Sequence, residues 1–268
     1  MSLFDGYVVN QEIQMFMKVY PSFCRLFQYA NPVYVKRFDW GERKSYYGEK
    51  KIKFAVDPDE VERNSLWRAK TNFMDIALSN EFDLFVTFTF AMHRYDIDRC
   101  KKRMAYWLNN QRILHGNFKY LIVAEYHKDG ALHFHALLSG YKGDVQTSGI
   151  FKRGREVFNI KSYRAGHTEA YKIDNLRKTA AYMAKYLTKD MPKFKGKQRY
   201  WCSNKLNRPV KVVNPILTSE DREKFTSVYK DDKKEIFEFV GQLTEADMTR
   251  IKDKTHIPYD DLYVSDKF

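Results

Sequence analysis

Residues 120–138 read YLIVAEYHKDGALHFHALL, two apolar runs joined by a short polar turn. Period-two alternation within such a run sends His133 and His135 to the same face of a strand. Glu125 lies eight residues before His133, on the expected partner strand. Loop length decides whether it joins them. A two-residue Asp129-Gly130 turn pairs Glu125 with Phe134 and points it away. A three-residue loop, Lys128-Asp129-Gly130, pairs Glu125 with His133 and puts all three on one face. Three-residue hairpin loops end on a left-handed residue, and glycine occupies that place. The reading adopted is therefore the three-residue loop, with Leu132, Phe134, Ala136 and Leu138 on the opposite face against helices. Two imidazoles and one carboxylate on one face are the outline of a divalent metal site. An H-x-H pair alone reads more readily as satisfied or half-exposed strand histidines; the Glu125 register and the motif below reverse that.

A second motif follows at residues 174–190, DNLRKTAAYMAKYLTKD. Asp174 or Asn175 can cap a helix there, and the alanines favour one. Tyr182 and Tyr186 are four residues apart and share a helix face. Each has a lysine three residues on, Lys185 and Lys189. Taken alone, this is an ordinary amphipathic helix with half-buried tyrosines. Taken with the histidines, it describes a chemistry. A phenol, with a pKa of about 10, is a weak nucleophile at neutral pH. It attacks a phosphodiester readily when a cation neutralises the phosphate and the developing phenolate. Two tyrosines on one face permit two successive transfers.

These residues resemble the replication initiators of the HUH endonuclease superfamily (His-hydrophobic-His). They are similar to the rolling-circle initiators of small single-stranded DNA phages and plasmids, of the filamentous-phage gene II protein type. Phe85-Val86-Thr87-Phe88-Thr89-Phe90 is similar to that family's leading strand motif. Glu125 with His133-Phe134-His135 is similar to its metal motif, and Tyr182-Met183-Ala184-Lys185-Tyr186 to its two-tyrosine motif. Residues 200–209, YWCSNKLNRP, resemble the stretch that follows the tyrosine helix. The resemblance covers roughly residues 66–211. It implies single-strand nicking and joining through a 5′-phosphotyrosine, with Mg or Mn. His133, His135 and Glu125 match the metal ligands, Tyr182 the first nucleophile, Tyr186 the second, and Lys185 the lysine between them. Thr87 and Thr89 are expected to support the site. It also implies a five-stranded, ferredoxin-like sheet with the histidine strand central. Relaxases and single-strand transposases share the chemistry, but relaxases usually place the tyrosine first and such transposases commonly carry one. A non-catalytic nucleic-acid-binding module is the alternative outside this chemistry.

Composition fits a DNA substrate. The net charge is +13. Residues 214–268 hold 9 Lys/Arg and 13 Asp/Glu, so the excess of cations falls in residues 1–213, with the motifs. The densest basic stretch, residues 185–211, has nine Lys/Arg and only Asp190 acidic. Its candidate DNA contacts are Lys189, Lys193, Lys195, Lys197, Arg199, Lys205 and Arg208, with Tyr200 and Trp201 as stacking faces for bases. No phosphate-cradling G-x-x-x-x-G-K-[ST] run occurs, so unwinding is expected from a host helicase and synthesis from a host polymerase, acting at a replication origin. Cys24, Cys100 and Cys202 show no zinc spacing. A cupin-like oxygenase needs a glutamate four or five residues after its His-x-His, where this chain has Ser139 and Gly140. The opening MSLFDGYVVNQE lacks a signal peptide's basic and apolar regions, and no apolar run spans a membrane. The expected location is the cytoplasm, that of the host if phage-encoded.

The expected architecture is α+β: a central antiparallel sheet, helices packed on one face, and the active site on the other. Residues 1–213 form the endonuclease domain with an N-terminal extension, and residues 214–268 a mixed-charge appendage. Strands are expected at residues 45–56, 84–90, 157–163 and 235–243. Helices are expected at 58–80, 97–115, 174–190, 219–229 and 244–254. Residues 1–45 read as irregular.

Overall fold

Antiparallel pairing organises the chain into two sheets. The computed structural model describes residues 8–38, 57–193 and 198–252. They fall into two compact units, one within Asp57–Arg208 and one built from the described residues on either side of it.

The first unit holds the motifs. Its elements are α1 (Pro58–Leu78), β3 (Leu84–Phe88), α2 (Ile97–His115), β4 (Lys119–Tyr126), β5 (Leu132–Ser139), β6 (Val145–Lys152), β7 (Arg155–Ile160), β8 (Thr168–Lys172), α3 (Leu176–Ala184) and β9 (Trp201–Cys202). The sheet order is β6-β7-β8-β3-β5-β4-β9. β3 and β4 straddle β5, with α2 as the connection between them, a split β-α-β unit. β5 is thus an interior strand, buried on both faces, which explains its nearly unbroken apolar run. On one face Val86, Phe88, Ile122, Ala124, Leu132, Phe134, Ala136 and Leu138 pack on Cys100, Met104, Trp107 and Leu108 of α2. On the other, Phe85, Leu121, Val123 and Leu137 pack on Phe73, Ile76 and Ala77 of α1 and on Ala180 and Met183 of α3.

Helices therefore cover both faces, α2 one of them and α1 with α3 the other, where helices were expected to pack on one face and the tyrosines and metal site to meet on the other. The reason lies in the sequence: both parities of β3, β4 and β5 are apolar, so both faces need a cover. The histidine strand belongs to a sheet of seven strands rather than five. The β6–β7 hairpin, of which only the second strand was expected, and β8 extend that sheet. Helix ends follow local rules. Asp96 caps α2 by accepting from the Asp98 and Arg99 amides, each at 3.1 Å. Gly116, at φ 83°, ends it.

The second unit has the five-stranded sheet, ordered β10-β1-β2-β12-β11. It comprises β1 (Val8–Val19), β2 (Phe23–Phe38), β10 (Val210–Val213), α4 (Ser219–Glu223), β11 (Thr226–Lys230), β12 (Lys234–Val240) and α5 (Glu245–Ile251). The division expected at residue 213 is thus replaced: β1 and β2 pair with β10 and β12, so both chain ends build one sheet. Residues read as irregular near the N-terminus are two long strands. Phe16 and Met17 are adjacent and both buried, in different clusters; burial on both faces erased the alternation that marks a strand. The helix expected at 219–229 stops at Glu223, and Thr226-Ser227-Val228-Tyr229 takes the strand its residue types favour. The strand expected at 45–56 lies outside the described residues. No helix among the described residues is long and apolar enough to cross a membrane.

The β4–β5 loop has three residues. Glu125 pairs with His133 and Tyr126 with Leu132, the His127 amide donates to the Ala131 carbonyl at 2.8 Å, and Gly130 has φ 81°. A Cβ at Gly130 meets only the Tyr95 ring, at 3.9 Å, so substitution is opposed by backbone conformation alone. Gly130→Ala should lower unfolding stability by about 1–2 kcal/mol, read from urea denaturation. An unchanged midpoint would contradict a left-handed requirement at the turn.

Candidate active site

The register of β5 with its neighbours assembles one row of side chains. Val123, His135, Thr87 and Glu169 are mutually paired across β4, β5, β3 and β8. Paired residues share a face, so the row lies on the face that carries α1 and α3. Glu125 and His133 occupy the next position toward the strand ends.

His135 is fixed at both ring nitrogens. Its Nε2 lies 2.7 Å from Glu125 Oε2 and its Nδ1 3.1 Å from Thr87 Oγ1. The ring is 4 % exposed. A hydroxyl both donates and accepts, so Thr87 can hold this imidazole in either tautomer. His133 is half-buried and stacks on the His127 ring, centroids 4.9 Å apart. Burial, then the neighbouring His127 and His135, hold its pKa below the ordinary 6.5.

α3 brings the tyrosines to this row. Asn175 caps it, accepting from the Lys178 amide at 2.9 Å. The Tyr186 ring stacks flat on His135, centroids 4.5 Å apart and planes at 8°. Tyr182 meets the same imidazole edge-on at 6.4 Å. The Tyr186 hydroxyl donates to the Tyr182 oxygen. Tyr182 is 45 % exposed, whereas Tyr186 is half-buried. Burial, the Tyr182 bond and the Glu125 charge raise the proton affinity of the Tyr186 phenol.

The structure thus brings Glu125, His135, Tyr182 and Tyr186 together, with His133 adjacent. Among the described residues no group of three or more His, Cys, Asp and Glu side chains is gathered as an ion-binding cluster. Glu125 and His135 bond each other instead, and His133 turns to His127. The helix expected to reach residue 190 ends at Ala184. The amides of Lys185, Tyr186 and Leu187 bond carbonyls three residues back, a tightening common at helix ends. Tyr186 is carried by that turn, and Lys185 points outward, exposed.

The basic stretch departs most from expectation. Arg199 is 6 % exposed; it pairs with Glu62 of α1 and donates to the Thr188 carbonyl at 2.8 Å. Lys189 and Lys193 pair with Asp59 and Glu62 at 3.1 and 3.2 Å. Tyr200 packs edge-on against Phe73 and Trp201 against Tyr120, so both rings serve the core rather than open stacking faces. Lys205 and Arg208 are exposed. Lys195 and Lys197 lie outside the described residues. His127, not expected in the site, was findable: the three-residue loop puts it on the Glu125 face, diagonal to His133. The pairing of Thr87 with His135 needed the β3 register, which no local pattern encodes.

Two outcomes follow. His133, with a folded-state pKa below its unfolded value, binds fewer protons when folded. Its contribution to stability is complete above about pH 6.5 and is lost as pH falls below it, down to the depressed folded value. Urea midpoints at pH 7.5 and 5.5 should differ less in His133→Asn than in the parent; an equal difference would contradict the assignment. Arg199→Glu should lower the melting temperature without DNA present, since it puts a carboxylate against Glu62; an unchanged melting temperature would return Arg199 to the surface.

A family model of replication-associated proteins, described by its ORF2 and gene 2 protein types, matches residues 83–191. That span runs from the start of β3 through the turn after α3 and includes every residue of the row. Neither the curated proteins nor the solved structures searched contain a match.

Proposed function

We propose that this chain initiates replication by cutting and rejoining single-stranded DNA at an origin through tyrosine transesterification. The observation that carries the reading is the convergence of Tyr182 and Tyr186 on the Glu125–His135 pair, inside the segment similar to replication-associated proteins. In the step itself the Tyr182 oxygen attacks phosphorus, a Tyr–O–P bond forms, and the P–O3′ bond breaks. The phenolic proton is lost to solvent, and the departing 3′ oxygen takes up a proton as a hydroxyl. The 5′ phosphate stays esterified to the protein.

Tyr182 is the first nucleophile on geometric grounds. Its oxygen is the accessible one and accepts the Tyr186 hydrogen bond, which stabilises the developing phenolate. Tyr186 then serves as second nucleophile once a strand end has been passed on. Lys185, between them and exposed, contributes positive charge toward the phosphate backbone.

The donor set fits a divalent ion. Two imidazoles and a carboxylate suit Mn, and with phosphate and water oxygens Mg. Thr87 at Nδ1 leaves His135 Nε2 directed at Glu125, the orientation a ligand nitrogen needs. His133, His135 and Glu125 would hold Mg or Mn, which when bound would polarise the scissile phosphate. The antiparallel order β8-β3-β5-β4 around a split β-α-β unit supports a ferredoxin-like core for this domain. Host helicase and polymerase would complete replication, in the host cytoplasm if the gene is carried by a phage.

The test is incubation with origin-derived single strands and Mn, read on a denaturing gel. A covalent protein–DNA adduct is expected and should disappear with chelator. Tyr182→Phe should reduce its formation by on the order of 1,000-fold or more, while Tyr186→Phe should keep it. Retention in Tyr182→Phe with loss in Tyr186→Phe would reverse the order of the tyrosines. No adduct with the parent protein on any origin strand would leave a binding module instead.

A further inference from the structure

We propose that the β6–β7 hairpin is a docking edge for single-stranded nucleic acid, leading the strand along the sheet to the tyrosine–histidine row; the destination rests on the nickase reading above.

β6 is the outermost strand of its sheet. Ile150 and Phe151 on it are 54 % and 69 % exposed. Lys152, Arg153 and Arg155 place three cations around the tip, and residues 142–172 hold seven Lys/Arg against three Asp/Glu. The turn residues Arg153 and Gly154 have φ 51° and 76°. A mirror-image two-residue turn favours Asn, Asp or Gly at its first central place. An arginine standing there against backbone preference points to use of its side chain.

The tip connects laterally to the site. Lys152 pairs with Glu169, Glu169 is in register with Thr87, and Thr87 with His135. With strands about 4.8 Å apart, three to four spacings amount to on the order of 15–20 Å. Arg155 is committed to this framework: it donates to the Lys172 carbonyl at 2.7 Å and lies over the Tyr171 ring.

The chemistry selects the occupant. An exposed ring and an isoleucine beside a cationic tip suit unstacked bases joined by phosphates. A peptide strand added to β6 would need a regular ladder. Gly149, at φ 72°, and the register shift between Thr147 and Phe151 interrupt it.

The experiment compares the parent, the double variant Phe151→Ala/Arg153→Ala and Phe151→Trp. Fluorescence anisotropy is measured without divalent ions, so that no cleavage occurs. Single strands of roughly 4 and 16 nucleotides, centred on the cut sequence, span known platform sizes. The double variant should bind the long strand on the order of tenfold or more weakly, with a shallower salt dependence. It should bind the short strand as the parent does, with an unchanged melting temperature. Phe151→Trp should keep long-strand affinity. Equal long-strand affinity in the parent and the double variant would overturn the proposal. So would concentration-dependent self-association lost in the variant with DNA binding intact, which would make β6 a protein contact. A parent that binds but forms no adduct would overturn the nickase reading and leave this comparison to decide the hairpin.

Discussion

The pairing of Glu125 with His133 is the constraint on which the site depends. It is one residue away from failing. A slip of one position in the β4–β5 hairpin would turn every side chain of one strand to the other face. Glu125 would then enter the apolar cluster on α2, and His135 would lose its carboxylate. The three-residue loop and the positive φ of Gly130 hold the register at one end. The apolar residues of β4 and β5 hold it along its length, since Phe134 and Ala136 meet α2 only in this alignment. The hairpin therefore carries both core and candidate site, and the same turn geometry specifies the two.

Around it, the neighbours divide the work by distance. Thr87 reaches His135 from β3 and fixes the ring. α3 lays Tyr186 flat against that imidazole and leaves Tyr182 open. The turn carrying Tyr186 is anchored as well: Arg199 bonds the Thr188 carbonyl and pairs with Glu62 on α1. Charges expected on the DNA path thus brace the segment behind the tyrosines. Lys185, Lys205, Arg208 and, at the β6–β7 tip, Arg153 are exposed as well.

What was legible in the sequence was local. The odd loop at Gly130, the Asn175 cap and the two-tyrosine spacing all follow from residue types within a few positions, and the structure carries each. The α+β class followed from alternating elements. Three things were not legible. β1 hides its alternation at Phe16-Met17-Lys18, where consecutive residues are buried, and β2 shows none either. The second sheet joins residues about two hundred positions apart, as in Val19 with Val210, and no local pattern encodes such a partner. The burial of Arg199 and the core packing of Tyr200 and Trp201 were not foreseen, because a charge or ring count does not say which way a side chain faces.

The central claim is that an aromatic hydroxyl beside His135 takes up the 5′ end of the cut strand. Lys185 makes this directly measurable, because trypsin cleaves after it and delivers Tyr182 and Tyr186 in different peptides. Tandem mass spectrometry of the nuclease-trimmed, trypsin-digested reaction product should find a nucleotide phosphate on Tyr182 in the peptide ending at Lys185. A nucleotide phosphate carried by any residue other than Tyr182 or Tyr186, or by none, would contradict the account.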